Sequence, residues 1–120
     1  MTLARDDLAF LPLGGTGEIG MNLNLYHVDG AWLAIDCGIG FGDAARPDIE
    51  IMVPDVGFLA ERKRDLRALI ITHAHEDHVG AVAWLWPALE CPVYATPFAA
   101  AVLRRKLAER QLLGRVKLTT

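Results

Sequence analysis

Cysteine is scarce in this 120-residue chain: Cys37 and Cys91 are its only two thiols. They stand far apart and form no CxxC, which excludes a disulfide scaffold. A single bond between them is one reading, and a reducing compartment is the better one. Neither sign of charge dominates. Twelve basic side chains stand against 15 acidic ones, for a formal net charge of -3. That argues against a dedicated basic nucleic-acid module, though not against an enzyme that grips nucleic acid in a local groove. A secretory leader is missing, because MTLARDDLAFLPLGG has no charged head followed by a clean apolar run. An unbroken membrane span is missing too. The most apolar stretch, Val79 to Leu103, is cut by Glu90 and by Pro87, Pro92 and Pro97. Neither remaining piece reaches the roughly 20 residues a spanning helix needs. A soluble, cytoplasmic protein with no membrane partner is expected. The 52% hydrophobic content excludes disorder, and the length allows one small domain with a core.

What is present reads as strands first, then strands alternating with helices, an α/β layered sheet. Leu8 to Leu13 is an apolar run ending in Gly14-Gly15. Met21 to Val28 alternates, with Leu23 and Leu25 set against Asn22, Asn24 and Tyr26, which is the period of a half-buried strand. Asp29-Gly30 is a hairpin turn signal, and Ala31 to Asp36 is the return strand. Gly38, Gly40 and Gly42 make a flexible loop, and Arg46 to Asp55 is irregular. A short helix is expected over Leu59 to Asp65, a buried strand over Leu66 to Thr72, and a helix over Val79 to Trp86 stopped by Pro87. Val93 to Ala95 is a brief strand. Thr96-Pro97 opens a helix with Thr at the N-cap, running to about Leu113 and stopped by Gly114. Arg115 to Thr120 begins another strand. No repeat or low-complexity segment appears.

Three of the four histidines fall in one six-residue window, His73-Ala74-His75-Glu76-Asp77-His78, directly after the buried strand. In extended backbone, residues two apart point the same way, so His73 and His75 can face one metal ion. Asp77 and His78 lie where the chain turns into a helix, diverge from that pair and can serve a second ion. Imidazole and carboxylate donors suit Zn²⁺ best, with Mn²⁺ or Fe as alternatives. A pair of such ions supplies a water nucleophile at neutral pH and clamps charge on a carbonyl or phosphoryl oxygen. The alternative is a solvated loop or a set of core histidines. At ordinary residue frequencies H-x-H-x-D-H arises by chance in a chain this long with probability on the order of 10⁻⁴, which decides for metal. Glu76 is read as solvated or supporting, not as a ligand. Asp36, at a strand end, is either a turn residue or a carboxylate that bonds a ligand histidine and fixes its tautomer. Cys37 and Cys91 are read as buried small hydrophobes.

Gly15-Thr16-Gly17-Glu18-Ile19-Gly20 fits the dinucleotide pattern G-x-G-x-x-G, with Asp36 near the spacing of a ribose-binding acid. That chemistry needs a helix to open at the last glycine. The next residues alternate as a strand, so the cofactor reading is rejected. Two readings of the loop stay open: a tight turn, or a cradle for phosphate at the mouth of a site. His27 is expected on the surface. Trp32, Trp84 and Trp86 are expected as core or interface anchors. Arg104, Arg105, Lys106 and Arg110 are expected on a solvated helix face, complementing the helix dipole.

The chain resembles the metallo-β-lactamase superfamily. His73, His75, Asp77 and His78 match its H-x-H-x-D-H signature, and Asp36 matches an aspartate at an earlier strand end. Within it, PLGGTGEIGMNLNLY, AIDCGIGFGD, Val53-Pro54-Asp55, ITHAHEDHVGAVAWLWP and PVYATPFAAAVL resemble the ribonuclease J family of the β-CASP group. The resemblance implies the N-terminal portion of an αβ/βα four-layer sandwich. Residues 1–120 would be an incomplete metallo-β-lactamase domain, with a β-CASP insert and further ligands beyond Thr120. It implies a di-zinc ribonuclease, 5′-to-3′ exonucleolytic with endonuclease activity. His73 and His75 would hold one zinc, Asp77 and His78 the other, with Asp77 and His78 placed as catalytic and Asp36 as their supporting carboxylate. RNA is the implied substrate and a homodimer or tetramer the implied assembly. The segment alone is expected to bind metal poorly, to be inactive and to expose an apolar sheet face. Two other readings stand beside this one: a hydrolase of the same fold acting on a thioester or lactam, and a non-catalytic scaffold subunit.

Overall fold

Alternation and turn chemistry build the first three strands. β1 (Ala9–Gly14), β2 (Leu23–Val28) and β3 (Ala31–Ile35) form an antiparallel meander. The β2–β3 turn places Asp29 and Gly30 at φ of 53° and 75°. Two successive left-handed residues are what a two-residue hairpin needs to match the strand twist. β1 is a sheet edge, where Pro12 removes no central ladder bond. The structure, a computed structural model, describes residues 3–42, 45 and 47–120. Arg46, where the irregular segment was expected to begin, and Asp43, which closes AIDCGIGFGD, lie outside them.

From β3 the sheet becomes parallel. β6 (Leu66–Ile71), β7 (Val93–Ala95) and β8 (Leu118–Thr119) follow, giving the order β1-β2-β3-β6-β7-β8. Parallel neighbours need crossovers, and helices supply them. α1 (Gly57–Ala60) lies between β3 and β6, α2 (Glu76–Val79) and α3 (Val82–Leu89) between β6 and β7, and α4 (Pro97–Glu109) between β7 and β8. Register places Leu25, Ala34, Leu69 and Val93 side by side on one face, and all four are buried. Leu59 of α1, Val82, Trp86 and Leu89 of α3, and Leu103 and Leu107 of α4 complete that core. The other face carries Phe10 beside Tyr26 beside Leu33, and Ile35 beside Ile70 beside Tyr94. Phe10, Tyr26, Leu33 and Tyr94 are exposed on it, so the apolar sheet face expected from the sequence is open. Among the described residues no helix is long and apolar enough to cross a membrane.

Several local expectations are corrected. The loop after Asp36 is not wholly flexible: Gly40–Phe41 (β4) pairs antiparallel with Ile51–Met52 (β5). The helix expected over Leu59 to Asp65 starts earlier, where the Asp55 carboxylate accepts the Gly57 N–H, and it ends at Ala60. Pro87 does not stop α3. It sits in the last turn, held there by buried Trp86, whose Nε1 donates to the Cys91 carbonyl at 2.8 Å. The stop is Glu90 in the left-handed region, φ 49°. α4 opens on Thr96 as expected but closes at Glu109, not near Leu113. Gln111 takes the left-handed position (φ 56°), with Gln111 N–H on the Ala108 carbonyl and Leu112 N–H on Leu107. That is a Schellman closure, and buried Leu112 and Leu107 form its apolar contact. His27 is buried rather than on the surface. It follows Leu23 and Leu25 in the inward alternation, its Nδ1 lies 3.0 Å from the Asp7 carbonyl and its ring packs on Trp32. Trp32 and Trp86 are core residues, but Trp84 is exposed, with the Arg110 guanidinium 4.0 Å above its ring.

Candidate metal centre

The site lies where the C-terminal ends of two neighbouring parallel strands meet the loops that follow them. β3 ends and Asp36 turns at φ 64°, a conformation aspartate tolerates better than most residues. β6 ends and Thr72, His73 and His75 run out in extended backbone until His75, at φ -66° and ψ 146°, becomes the N-cap of α2. Asp77 and His78 sit inside that short helix. Backbone bonds knit the two loops together. Cys37 N–H donates to His78 O, Ile39 N–H to Glu76 O, and Ala81 N–H to Cys37 O. The approach is so close that Gly38 has no room for a side chain, since a Cβ there would stand 1.7 Å from the Asp77 carbonyl oxygen.

Asp36 is the hub. Its buried carboxylate accepts the Thr72 backbone N–H at 2.7 Å, the Thr72 hydroxyl at 2.8–2.9 Å, and faces His78 Nδ1 at 2.8 Å. A carboxylate only accepts, so His78 carries its proton on Nδ1 and presents a bare Nε2. The Thr72 hydroxyl has one hydrogen and gives it to Asp36. Thr72 Oγ1 therefore accepts from His73 Nδ1, 3.0 Å away, and His73 Nε2 is also left bare. One carboxylate thus sets two imidazoles. The rings of His73 and His78 lie 3.9 Å apart and those of His73 and His75 4.8 Å apart. Asp77 Oδ2 is 3.6 Å from His78 Nε2.

These residues suit a metal in chemistry and spacing. Two ligands on a tetrahedral zinc, each about 2.0–2.2 Å from it, lie roughly 3.4 Å apart, close to the Asp77–His78 separation. Among the described residues, no three His, Cys, Asp or Glu side chains already converge on one point. What the loops bring together is a set of donor pairs. Glu76 points elsewhere and pairs with Lys106 of α4. Cys37 is fully buried beside the site, and burial, with Cys91 and Asp36 nearby, pushes its thiol up to about 12. Burial pushes Cys91 to about 11. Both thiols stay protonated, as expected of buried small side chains. A thiol pKa raised on folding favours the native state fully below its unfolded value near 9 and loses that contribution as pH rises toward 11–12. Stability is therefore expected to fall between about pH 9 and 12, and the native chain to resist iodoacetamide at pH 8 until denaturant is added. Rapid labelling of both thiols without denaturant would contradict this.

Two residues of the site lie outside the sequence reading, Thr72 and Asn22. Thr72 was visible as the last residue of the strand, and nothing in its spacing marked it. Asn22 sits one residue before β2, and its Nδ2 lies within 2.9–3.4 Å of Asp77 O, Asp77 Oδ2 and His78 Nε2. The glycine-rich loop turns at Gly15, Gly17 and Gly20, all at positive φ, and leads into strand β2, not a helix. A dinucleotide site does not form there.

A model of the metallo-beta-lactamase superfamily matches residues 22–116. The chain belongs to the metallo-beta-lactamase superfamily. It is 48% identical over 122 residues to "Ribonuclease J" of Sinorhizobium meliloti, covering 98% of this chain and 22% of that protein. It is 32% identical over 114 residues to "Ribonuclease J 2" of Staphylococcus aureus, covering 95% of this chain and 20% of that one. The chain thus spans about a fifth of the length of these relatives. Among solved structures, human tRNase Z, short form, matches with a TM-score of 0.56 at 15% identity, over 93% of this chain and 42% of that chain. That likeness shows the metallo-beta-lactamase fold. The metal-binding signature of this superfamily member falls on His73, His75, Asp77 and His78, the residues gathered at the end of β6.

Proposed function

We propose that this chain is the N-terminal part of a longer metal-dependent ribonuclease of the J type. It hydrolyses phosphodiester bonds of RNA, 5′ to 3′ from the end and also internally, in RNA processing and decay. The observation that carries the reading is the identity to Ribonuclease J across nearly the whole chain, a stretch that includes the entire histidine cluster. His73 and His75 would hold one zinc and Asp77 and His78 a second, with Mn²⁺ as the alternative metal. The chemistry such ions supply is Lewis acidity toward a phosphoryl oxygen and a nucleophilic water at neutral pH. The chain's own part is to present the donors. Asp36 takes the Nδ1 proton of His78 and, through the Thr72 hydroxyl, orders His73, so that both Nε2 lone pairs stay available.

The open face of the sheet, with Phe10, Tyr26, Leu33 and Tyr94, is where the rest of a four-layer domain would pack. The remaining ligands, a homodimer or tetramer interface and a cytoplasmic setting belong to that longer protein. By itself the 120-residue segment should hold well under two zinc ions per chain and leave RNA intact. Metal analysis giving two tightly held ions in the isolated segment would contradict this.

The full-length protein tests the activity. It is incubated with a 5′-monophosphorylated RNA, with and without chelator, beside Asp77→Ala. The expected result is metal-dependent release of mononucleotides from the 5′ end. In Asp77→Ala the rate should fall by more than the roughly 10–100-fold that loss of a mere supporting partner costs. Intact RNA with metal bound would sink the ribonuclease reading and move the search to small ester or thioester substrates.

A further inference from the structure

Asn22 is the last residue before β2, and its main chain is held on both sides of the site. Its N–H donates to the Asp77 carbonyl at 3.0 Å, and its own carbonyl accepts the Gly38 N–H at 3.0 Å. The side chain turns toward the same point. Nδ2 lies 2.9 Å from Asp77 O, 3.4 Å from Asp77 Oδ2 and 3.3 Å from His78 Nε2. The Asp77 carbonyl and carboxylate only accept, so the amide must face them with its nitrogen. One of its two hydrogens goes to the carbonyl. The other falls between the carboxylate and the bare imidazole nitrogen, the two atoms that would bind one ion. On the far side the amide oxygen rests against Gly15, where a Cβ would stand 2.3 Å from Asn22 Oδ1. Gly15, at φ +92°, therefore leaves the amide the space it occupies.

We infer that Asn22 is a positioning residue for the Asp77–His78 half of the metal centre, its amide clamping the carboxylate beside His78 Nε2. The inference rests on the metal reading above. With His78 Nε2 committed to an ion, the shared amide hydrogen is left to Asp77 Oδ2, which keeps that oxygen oriented. The glycine-rich loop then acts as the wall that holds the amide in place. Asn22 does not serve the His73–His75 pair, which takes its order from Thr72 and Asp36.

The test uses the full-length protein, stripped of metal and titrated with Zn²⁺ by calorimetry and with Co²⁺ by visible absorption. Asn22→Ala removes the donor, and Asn22→Leu removes it while keeping close to the original volume against Gly15. Asn22→Gln restores an amide. One of the two ions should weaken by about 10–100-fold in the Ala and Leu variants, with the Co²⁺ bands of that ion altered and the other ion unchanged. Gln should recover part of the loss. Two ions bound in the Ala and Leu variants with unchanged affinity and spectrum would overturn the assignment. Equal weakening of both ions together with a lowered melting temperature would also overturn it, in favour of a general packing role. A wild-type protein that takes up no metal would instead sink the metal reading itself.

Discussion

Gly38→Ala is expected to push the Asp77–His78 peptide out of place and to lower stability and metal affinity together. The added Cβ would stand 1.7 Å from the Asp77 carbonyl oxygen, 2.0 Å from its carbon and 2.6 Å from His78 N. All three are backbone atoms, so no flexible side-chain end can move aside. The surrounding ladder resists as well, because Gly38 N–H donates to Asn22 O and its neighbours Cys37 and Ile39 donate to His78 O and Glu76 O. Overpacking costs about 1–3 kcal/mol and occasionally more, and a clash against backbone on this scale belongs at or above the upper end. Urea unfolding measures it. A variant within about 0.5 kcal/mol of the parent, the range of an ordinary surface change, would show that the two loops are not locked as described.

The second large effect is expected from Asp36→Ala. It strips the partner from the Thr72 N–H, the Thr72 hydroxyl and His78 Nδ1, and places alanine at φ 64°. Leaving buried donors unpaired costs about 1–3 kcal/mol each, less where water can reach, so a loss on the order of 3 kcal/mol is expected. Asp36→Asn should lose less. Asparagine tolerates the left-handed backbone and keeps one acceptor, but its NH₂ cannot accept from Thr72 and His78 at once. The chemical readout is the imidazole tautomer. Nitrogen NMR of the parent should show His73 and His78 protonated on Nδ1, and both variants should release His78 to a tautomer mixture. Parent-like stability and an unchanged tautomer in Asp36→Ala would remove Asp36 from the centre of the site.

These two positions differ in how far they could be read in advance. Asp36 was legible as a carboxylate at a strand end, with a turn role left open. The bond to His78 decides between the two, and that bond spans 42 positions of sequence. Gly38 was read only as part of a flexible loop. Its need for glycine comes from a chain segment about 40 residues away and leaves no local trace. His27 shows the opposite case. Its inward place follows from the alternation of Leu23 and Leu25, and only the polarity of imidazole argued for the surface. The helix ends failed for a local reason. Left-handed closure was assigned to glycine or blamed on proline, whereas Glu90 and Gln111 adopt it because Leu89 and Leu112 are drawn into the core.

By itself the sequence determined the α/β class, the hairpin at Asp29-Gly30, the start of the last long helix at Thr96-Pro97 and the histidine cluster after a buried strand. All of these rest on neighbours along the chain, where periodicity, turn chemistry and capping act over a few residues. Tertiary structure alone decided which side chains turn toward that cluster. Strands β3 and β6 lie side by side, so the loops that follow them meet, and Asp36, Gly38 and Asn22 come against Asp77 and His78. A parallel pairing is made through space across a crossover, so its partners are set by the packing of the whole sheet and by no interval in the sequence.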